Sequence, residues 1–230
     1  MKNQFEIVDF HSHILPSADH GSSSVETSLF QLNSAVDAGV TRIIATPHFY
    51  PHVHTVDAFL ERREAAYKSL MPRIPNGVEI RLAAEVLICP GIHNLPGLEK
   101  LFIHGTNTLL LEISNTDFGP EHVDTVRELI GKGIDVVLAH ADRYNPSCIE
   151  QLIELGAKIQ LNACSLNTIF RSKHLYDWLN RGLVVGIGSD IHGADKRAYP
   201  ALVKAYGKIS KYSSSVSAES NKIWNNSKKY

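Results

Sequence analysis

At 230 residues, 43% apolar and 20% charged, the chain is long enough to bury a sizeable core as one domain and too apolar to remain disordered. Lys and Arg number 23 against 24 Asp and Glu, and a net charge of −1 gives no electrostatic case for nucleic acid or an anionic membrane surface. The apolar runs at 134–139 and 183–187 are too short to cross a bilayer, and Met1-Lys2-Asn3-Gln4-Phe5 lacks the apolar core of a signal peptide, so a cytoplasmic location is expected.

In chain order, short apolar, β-branched runs alternate with amphipathic stretches. Phe5–Phe10 reads as a first strand and Val25–Ala38 as the helix that follows. Arg42–Thr46, Asp57–Leu70 and Glu79–Ala84 repeat the alternation, as do Thr108–Ile113, Pro120–Gly131 and Asp135–Ala139. Ser147–Leu155, Lys158–Leu161, Lys173–Asn180 and Leu183–Ile187 continue it. Glycine stands just past four of the helices, at Gly39, Gly133, Gly156 and Gly182, where a left-handed residue ends a helix. Such repetition predicts an α/β fold with a parallel sheet and helical crossovers, and seven strands fit a closed barrel one short of the usual eight. An open doubly wound sheet would need a Gly-rich phosphate loop after the first strand, and none is present. Beyond Lys208, Tyr212–Ser215 reads as a linker, Ser217–Ser227 as a last helix opened by Ser217, and Lys228–Tyr230 as a frayed end. The expected barrel therefore occupies residues 1–207, with 208–230 a linker and helix of the same domain.

Chemistry gathers where the strands end. His11-x-His13 puts two imidazoles on one side of an extended segment, and Asp190-x-His192 repeats the spacing with a carboxylate. Asp19-His20-Gly21 follows close behind the first pair, and His48, Glu85, Glu112 and His140 stand where other strands end, at the end where barrels of this kind build their active sites. Each alone is as readily a solvated or salt-bridged side chain, but nine together are not. Glu85 and Glu112 lie in apolar runs, where a buried carboxylate needs a partner or a metal. Imidazoles with carboxylates and no thiolate suit Mn, Fe, Zn or Co, and Mg or Ca less well. So many donors imply several ions, since one rarely takes more than about six. Clustered divalent ions suit displacement at phosphorus. Cys89, Cys148 and Cys164 offer neither a disulfide framework nor a thiolate zinc site. Six residues without glycine separate Cys164 from Arg171, which is no phosphate loop for a cysteine nucleophile.

Asp9-x-His11-Ser12-His13-Ile14-Leu15-Pro16, Ala45-Thr46-Pro47-His48, Ala139-His140-Ala141-Asp142-Arg143-Tyr144 and Ser189-Asp190-Ile191-His192 resemble the polymerase-and-histidinol-phosphatase (PHP) superfamily. Within it they are most similar to the bacterial manganese-dependent tyrosine phosphatases of capsule and exopolysaccharide operons. The resemblance implies a distorted seven-stranded (β/α)7 TIM-like barrel with up to three Mn2+ ions, acting on the phosphotyrosine tail of a partner kinase. It implies one metal held by His11, His13, Glu85 and Asp190, and a second shared by Glu85 and completed by Glu112 and His140. The third would sit on His48, His192 and the residue at position 20. Arg143 would grip the phosphate with help from Arg197, and a metal-bridging hydroxide would attack phosphorus in line. Asp142 is a candidate proton donor.

One departure is plain: the family usually carries Asp-Asp-Gly where this chain has Asp19-His20-Gly21. His20 is expected to coordinate as a neutral imidazole, with Asp19 swinging in as the alternative. Tyr50, with Phe49, could stack on a phosphotyrosine ring at an entrance shared with His52 and His54, although a solvated loop fits those residues equally. Other readings stay open. A PHP phosphatase for a small metabolite such as histidinol phosphate, a metal amidohydrolase, and a catalytically silent metal-binding barrel all share parts of this pattern.

Overall fold

The computed structural model describes residues 6–113, 118–168 and 172–228. Phe5, Arg171, Lys229 and Tyr230, which figure in the expectations above, lie outside the described residues. Among the described residues, nine strands form one sheet: β1 (Val8–Ser12), β2 (Arg42–Ala45), β3 (His48–Phe49), β4 (Glu79–Leu82), β5 (Glu85–Leu87), β6 (Thr108–Glu112), β7 (Asp135–Leu138), β8 (Lys158–Asn162) and β9 (Val184–Gly188). Their order is β3-β5-β6-β7-β8-β9-β1-β2-β4, and each strand runs parallel to its neighbours.

The helices are α1 (Val25–Asp37), α2 (Val56–Leu70), α3 (Pro120–Gly131), α4 (Pro146–Glu154), α5 (Ala163–Leu166), α6 (Lys173–Asn180), α7 (Ala198–Lys208) and α8 (Ser210–Asn226). Ser24 and Thr55 cap α1 and α2, their hydroxyls accepting from Thr27 and Ala58 N–H at 3.2 Å. Gly39 and Gly133 take the left-handed conformation after α1 and α3, with φ of 78° and 80°.

The count of nine departs from the seven expected, because two of the predicted runs continue beyond a break. Pro47 has no N–H for the ladder, so the second run stops at Ala45 and resumes as β3. The third stops at Leu82, and the Ala84 N–H turns to the Leu101 carbonyl at 3.0 Å before β5 begins. The resumed pieces pair with each other, placing His48 directly opposite Glu85.

The tail also differs from expectation. Tyr212–Ser215 is not a linker but lies inside α8, and α7 was not foreseen at all. Serine is a poor marker of helix, yet Ser213, Val216, Ser217, Ser220 and Trp224 repeat at three to four residues and are all buried. Small side chains on that face let α8 approach β9 and β1 closely. A large apolar cluster lies between the sheet and the helices. A smaller one joins Val8, Phe10, Ile44, Leu110 and Val137 to Trp224. Its members come from strands all along the order, which places it within the curl of the sheet, with Trp224 as the stopper.

Candidate metal centre

His11 and His13 follow the alternation of β1 and are both buried, with their Nε2 atoms 3.0 Å apart. Each ring is held by its other nitrogen. His13 Nδ1 lies 2.7 Å from an Asp19 oxygen, and His11 Nδ1 lies 3.2 Å from the Gln160 side-chain oxygen. Both contacts are to oxygens that accept, which makes Nδ1 the donor of each ring and turns Nε2 toward the centre. His192 is fixed the same way, its Nδ1 donating to the Asp190 carbonyl at 3.0 Å. The Tyr144 hydroxyl stands 3.1 Å from His140 Nδ1 and accepts the Ile113 N–H at 3.3 Å.

Glu85 is the hub. It is fully buried, with Oε1 2.7 Å from His140 Nε2. Its Oε2 lies 2.9 Å from His48 Nδ1, 3.1 Å from His11 Nε2 and 3.3 Å from His13 Nε2. Glu112 stands further out, its oxygens 3.7 Å from His48 Nδ1 and 3.8 Å from His140 Nε2. Asp190 Oδ1 is 3.5 Å from His13 Nε2, while Oδ2 accepts from the Asn162 amide at 2.9 Å and from Arg143.

Burial alone would raise the Glu85 carboxyl, but His11 and the other imidazoles hold it well below the usual range. Asp190 and Asp19 are likewise held low against their burial by His13. Glu112 goes the other way, raised by burial and by the neighbouring Glu85 charge. Burial and His13 push the His192 imidazole down to about 4, so it stands neutral and ready to ligate at pH 7.

The backbone is forced into place around these groups. His140 and Asp190 both adopt left-handed conformations, with φ of 32° and 50°, which non-glycine residues rarely take away from functional sites. A Cβ at Gly21 would stand 2.2 Å from His13 Cβ, and one at Gly188 would stand 2.6 Å from His11 Cβ. Only glycine fits at these two positions.

Of the nine candidate ligands, eight converge. Their donor atoms fall within 4.8 Å of one another in four groups: His11, His13 and Asp190; His11, Glu85 and His140; His48, Glu85 and Glu112; His13, His48 and His192. His20 is the ninth. Its exposed ring stacks on His48 at 4.6 Å and stands 4.9 Å from His192, but it gives no donor to those groups. The alternative, Asp19, is already engaged by His13 Nδ1 and by the Gly21 and His48 N–H groups at 2.8 and 3.0 Å.

Arg143 reaches the rim, half exposed and paired with Asp190. Both oxygens of Asp142 are occupied, one by the Asn162 N–H at 2.7 Å and the other by the Ser165 hydroxyl. Arg197 lies at the start of α7, well exposed and bound to Asp195 at 3.2 Å. Tyr50 stacks on His48 at 5.2 Å, with His52 and His54 at 6.0 and 6.5 Å. Phe49 is corrected: it is fully buried against Phe59 and offers no surface to a substrate. The holding roles of Asp19, Gln160 and Tyr144 were not read from the sequence. Gln160 had a signal, since an amide between the apolar Ile159 and Leu161 of β8 needs partners.

The donor set fits divalent cations on an observation of its own. Glu85 Oε2 and His48 Nδ1 are buried without a hydrogen-bond partner, although 2.9 Å apart. Buried polar atoms that converge without completed hydrogen bonds are stabilised by a cation.

Known proteins resemble this chain in sequence and in fold. The chain is 28% identical to the tyrosine-protein phosphatase CpsB of Streptococcus pneumoniae, covering 87% of this chain and 91% of that protein. It is 31% identical to the tyrosine-protein phosphatase YwqE of Bacillus subtilis, covering 84% and 80%. Its fold superposes with a TM-score of 0.78, at 24% identity over 97% and 96% of the two chains, on a chain from crystal structures of YwqE and CpsB, described as metal-dependent tyrosine phosphatases. A β-aspartyl dipeptidase of Fervidobacterium islandicum shares the fold alone, with a TM-score of 0.59 at 14% identity over 95% of this chain and 72% of that one. Residues 7–229 match the family "Capsular polysaccharide synthesis, CpsB/CapC", and the chain belongs to it.

Proposed function

We propose that this protein is a metal-dependent protein-tyrosine phosphatase serving capsule or exopolysaccharide synthesis. The observation that carries the reading is the buried, partnerless Glu85 oxygen at the meeting point of His11, His13 and His48, in a chain whose curated relatives are tyrosine-protein phosphatases. The interrupted strands β2/β3 and β4/β5 act as single staves in this reading, which makes the curled sheet a distorted (β/α)7 barrel.

His11, His13, His48, Glu85, Glu112, His140, Asp190 and His192 would hold up to three ions, with His20 flanking the imidazole-rich end. A mixed imidazole and carboxylate set supports Mn2+. Such ions, when bound, supply a nucleophile at neutral pH and positive charge for the phosphate oxygens. Asp19 and Gln160 keep the His13 and His11 lone pairs aimed inward. Arg143 presents its planar fork of N–H donors to the phosphate, with Arg197 a second cation further out. Tyr50 gives the substrate's phenol ring an aromatic neighbour beside His48. Its own hydroxyl, pushed up to about 12 by burial and by Glu112, stays a donor. A phenolate leaving group, with a pKa of about 10, makes little demand for a general acid. That suits an Asp142 whose oxygens are both engaged in bracing the loop.

The substrate in this reading is the phosphotyrosine segment of a kinase controlling polysaccharide export, met in the cytoplasm. Among the described residues no helix is long and apolar enough to cross a membrane. Phosphate release from phosphotyrosine and phosphoserine peptides, by metal-stripped protein with and without Mn2+, tests the proposal. Release only with Mn2+, and much faster from phosphotyrosine, is expected. No release with any divalent ion overturns the phosphatase, and equal release from both peptides overturns the aryl preference.

A further inference from the structure

Asp9 is a buried carboxylate that no ligand group includes. It is fully buried on β1, two residues before His11, and among the described residues no Lys or Arg forms an ion pair with it. Both of its oxygens accept from one residue near the far end of the chain, beside the buried hydroxyl of Tyr199. Oδ1 accepts the Ser189 N–H at 2.7 Å, and Oδ2 accepts the Ser189 hydroxyl at 2.6 Å. The Ser189 hydroxyl oxygen in turn accepts the Ile191 N–H at 3.3 Å. The clasp therefore grips the residues on both sides of Asp190.

Asp190 is the residue that needs gripping. Its backbone is left-handed, with φ of 50°, and its N–H donates to the His11 carbonyl at 2.9 Å. A non-glycine residue keeps such a conformation only where its surroundings over-determine it. From that backbone its Oδ1 reaches to within 3.5 Å of His13 Nε2 and 3.8 Å of His11 Nε2. Leaving a carboxylate buried without a cation costs stability, so packing alone does not account for Asp9.

We propose that Asp9 is a positioning residue of the metal centre, acting through Ser189 to set the geometry at which Asp190 meets His11 and His13. One rigid strand then carries both the clasp and two of the imidazoles, and the first and last strands are locked in register at the point where their ligands converge. The inference rests on the metal-centre reading above.

The test is Mn2+ affinity, by competition with a chromophoric chelator, of metal-free wild type, Asp9→Asn, Ser189→Ala and the double variant. Asparagine keeps the shape but either removes an acceptor or sets N–H against N–H. A loss of about 10- to 100-fold is expected for Asp9→Asn, as for removal of a residue that orients a ligand. Ser189→Ala, which keeps the backbone N–H, is expected to lose several-fold, and the double variant to bind no more weakly than Asp9→Asn. The metal-free melting temperature of each variant is recorded alongside. Wild-type affinity in Asp9→Asn, or losses that simply add in the double variant, overturns the proposal. If Asp9→Asn does not fold, unchanged affinity in Ser189→Ala overturns it instead. A wild type that binds no divalent ion overturns both this proposal and the metal reading, whereas normal binding in every variant overturns this proposal alone.

Discussion

The two ends of the sheet bury polar side chains of similar cost and treat them in opposite ways. At the C-terminal ends, Glu85 Oε2 and His48 Nδ1 have no hydrogen-bond partner. At the opposite end, under α8, Arg81 is 6% exposed, yet its Nε donates to the Ser227 hydroxyl at 2.9 Å and its guanidinium lies 4.1 Å over the Trp224 ring. Burial is common to both places. What separates them is whether the protein itself completes the hydrogen bonds and charge balance. Where it does, the arrangement contributes to stability; where it leaves acceptors facing one another, the arrangement is built for something that arrives later.

The comparison breaks most sharply at Glu85. Glu85→Gln is expected to weaken Mn2+ binding by more than about 100-fold, the upper figure for loss of a merely orienting residue. Activity should fall to background, and chelator competition is the check. Trp224→Ala should do the reverse, lowering the unfolding free energy by about 3–5 kcal/mol in a urea titration while leaving Mn2+ affinity alone. A drop in affinity there would show that the two ends are not independent.

Arg143→Ala sharpens the line between ligand and substrate contact. It should lower kcat by about 10²- to 10³-fold, the loss typical of one donor to developing charge, with the metal content of the purified protein unchanged. The smallest effect concerns pH. The folded His192 imidazole titrates near 4 against 6.5 in the unfolded chain, so between those values the unfolded state binds more protons and stability rises with pH. That contribution is complete above about 6.5 and is lost as the pH falls towards 4. Metal-free wild type should therefore lose more melting temperature between pH 7 and pH 4.5 than His192→Gln does, and equal losses would show that His192 is not held neutral.

Much of this was legible before any coordinates. The strand and helix positions from Val25 to Ile187 agree with the structure within a few residues at most ends, because period-two and period-3.6 patterns and helix-ending glycines are local signals. α8 was legible only in its second half, since its buried face is made of serines and carries little apolar periodicity. The divided strands were hidden because the Ala84 N–H leaves its ladder for Leu101, a partner that no local pattern names. Asp142 read as a proton donor for lack of any view of Asn162 and Ser165.

The sequence by itself determined which chemistry is present. Imidazoles and carboxylates without thiolates stand after successive strands, and a parallel strand–helix repeat sends strand ends to one side. Only the tertiary structure decided how those donors divide into groups, which nitrogen of each ring faces inward, and that Asp19 braces His13 and the Gly21 and His48 N–H groups. These depend on contacts such as His11 with Gln160 and Asp9 with Ser189, 149 and 180 residues apart. The periodicity of a chain reports which face a side chain occupies, but not which distant side chain it meets there.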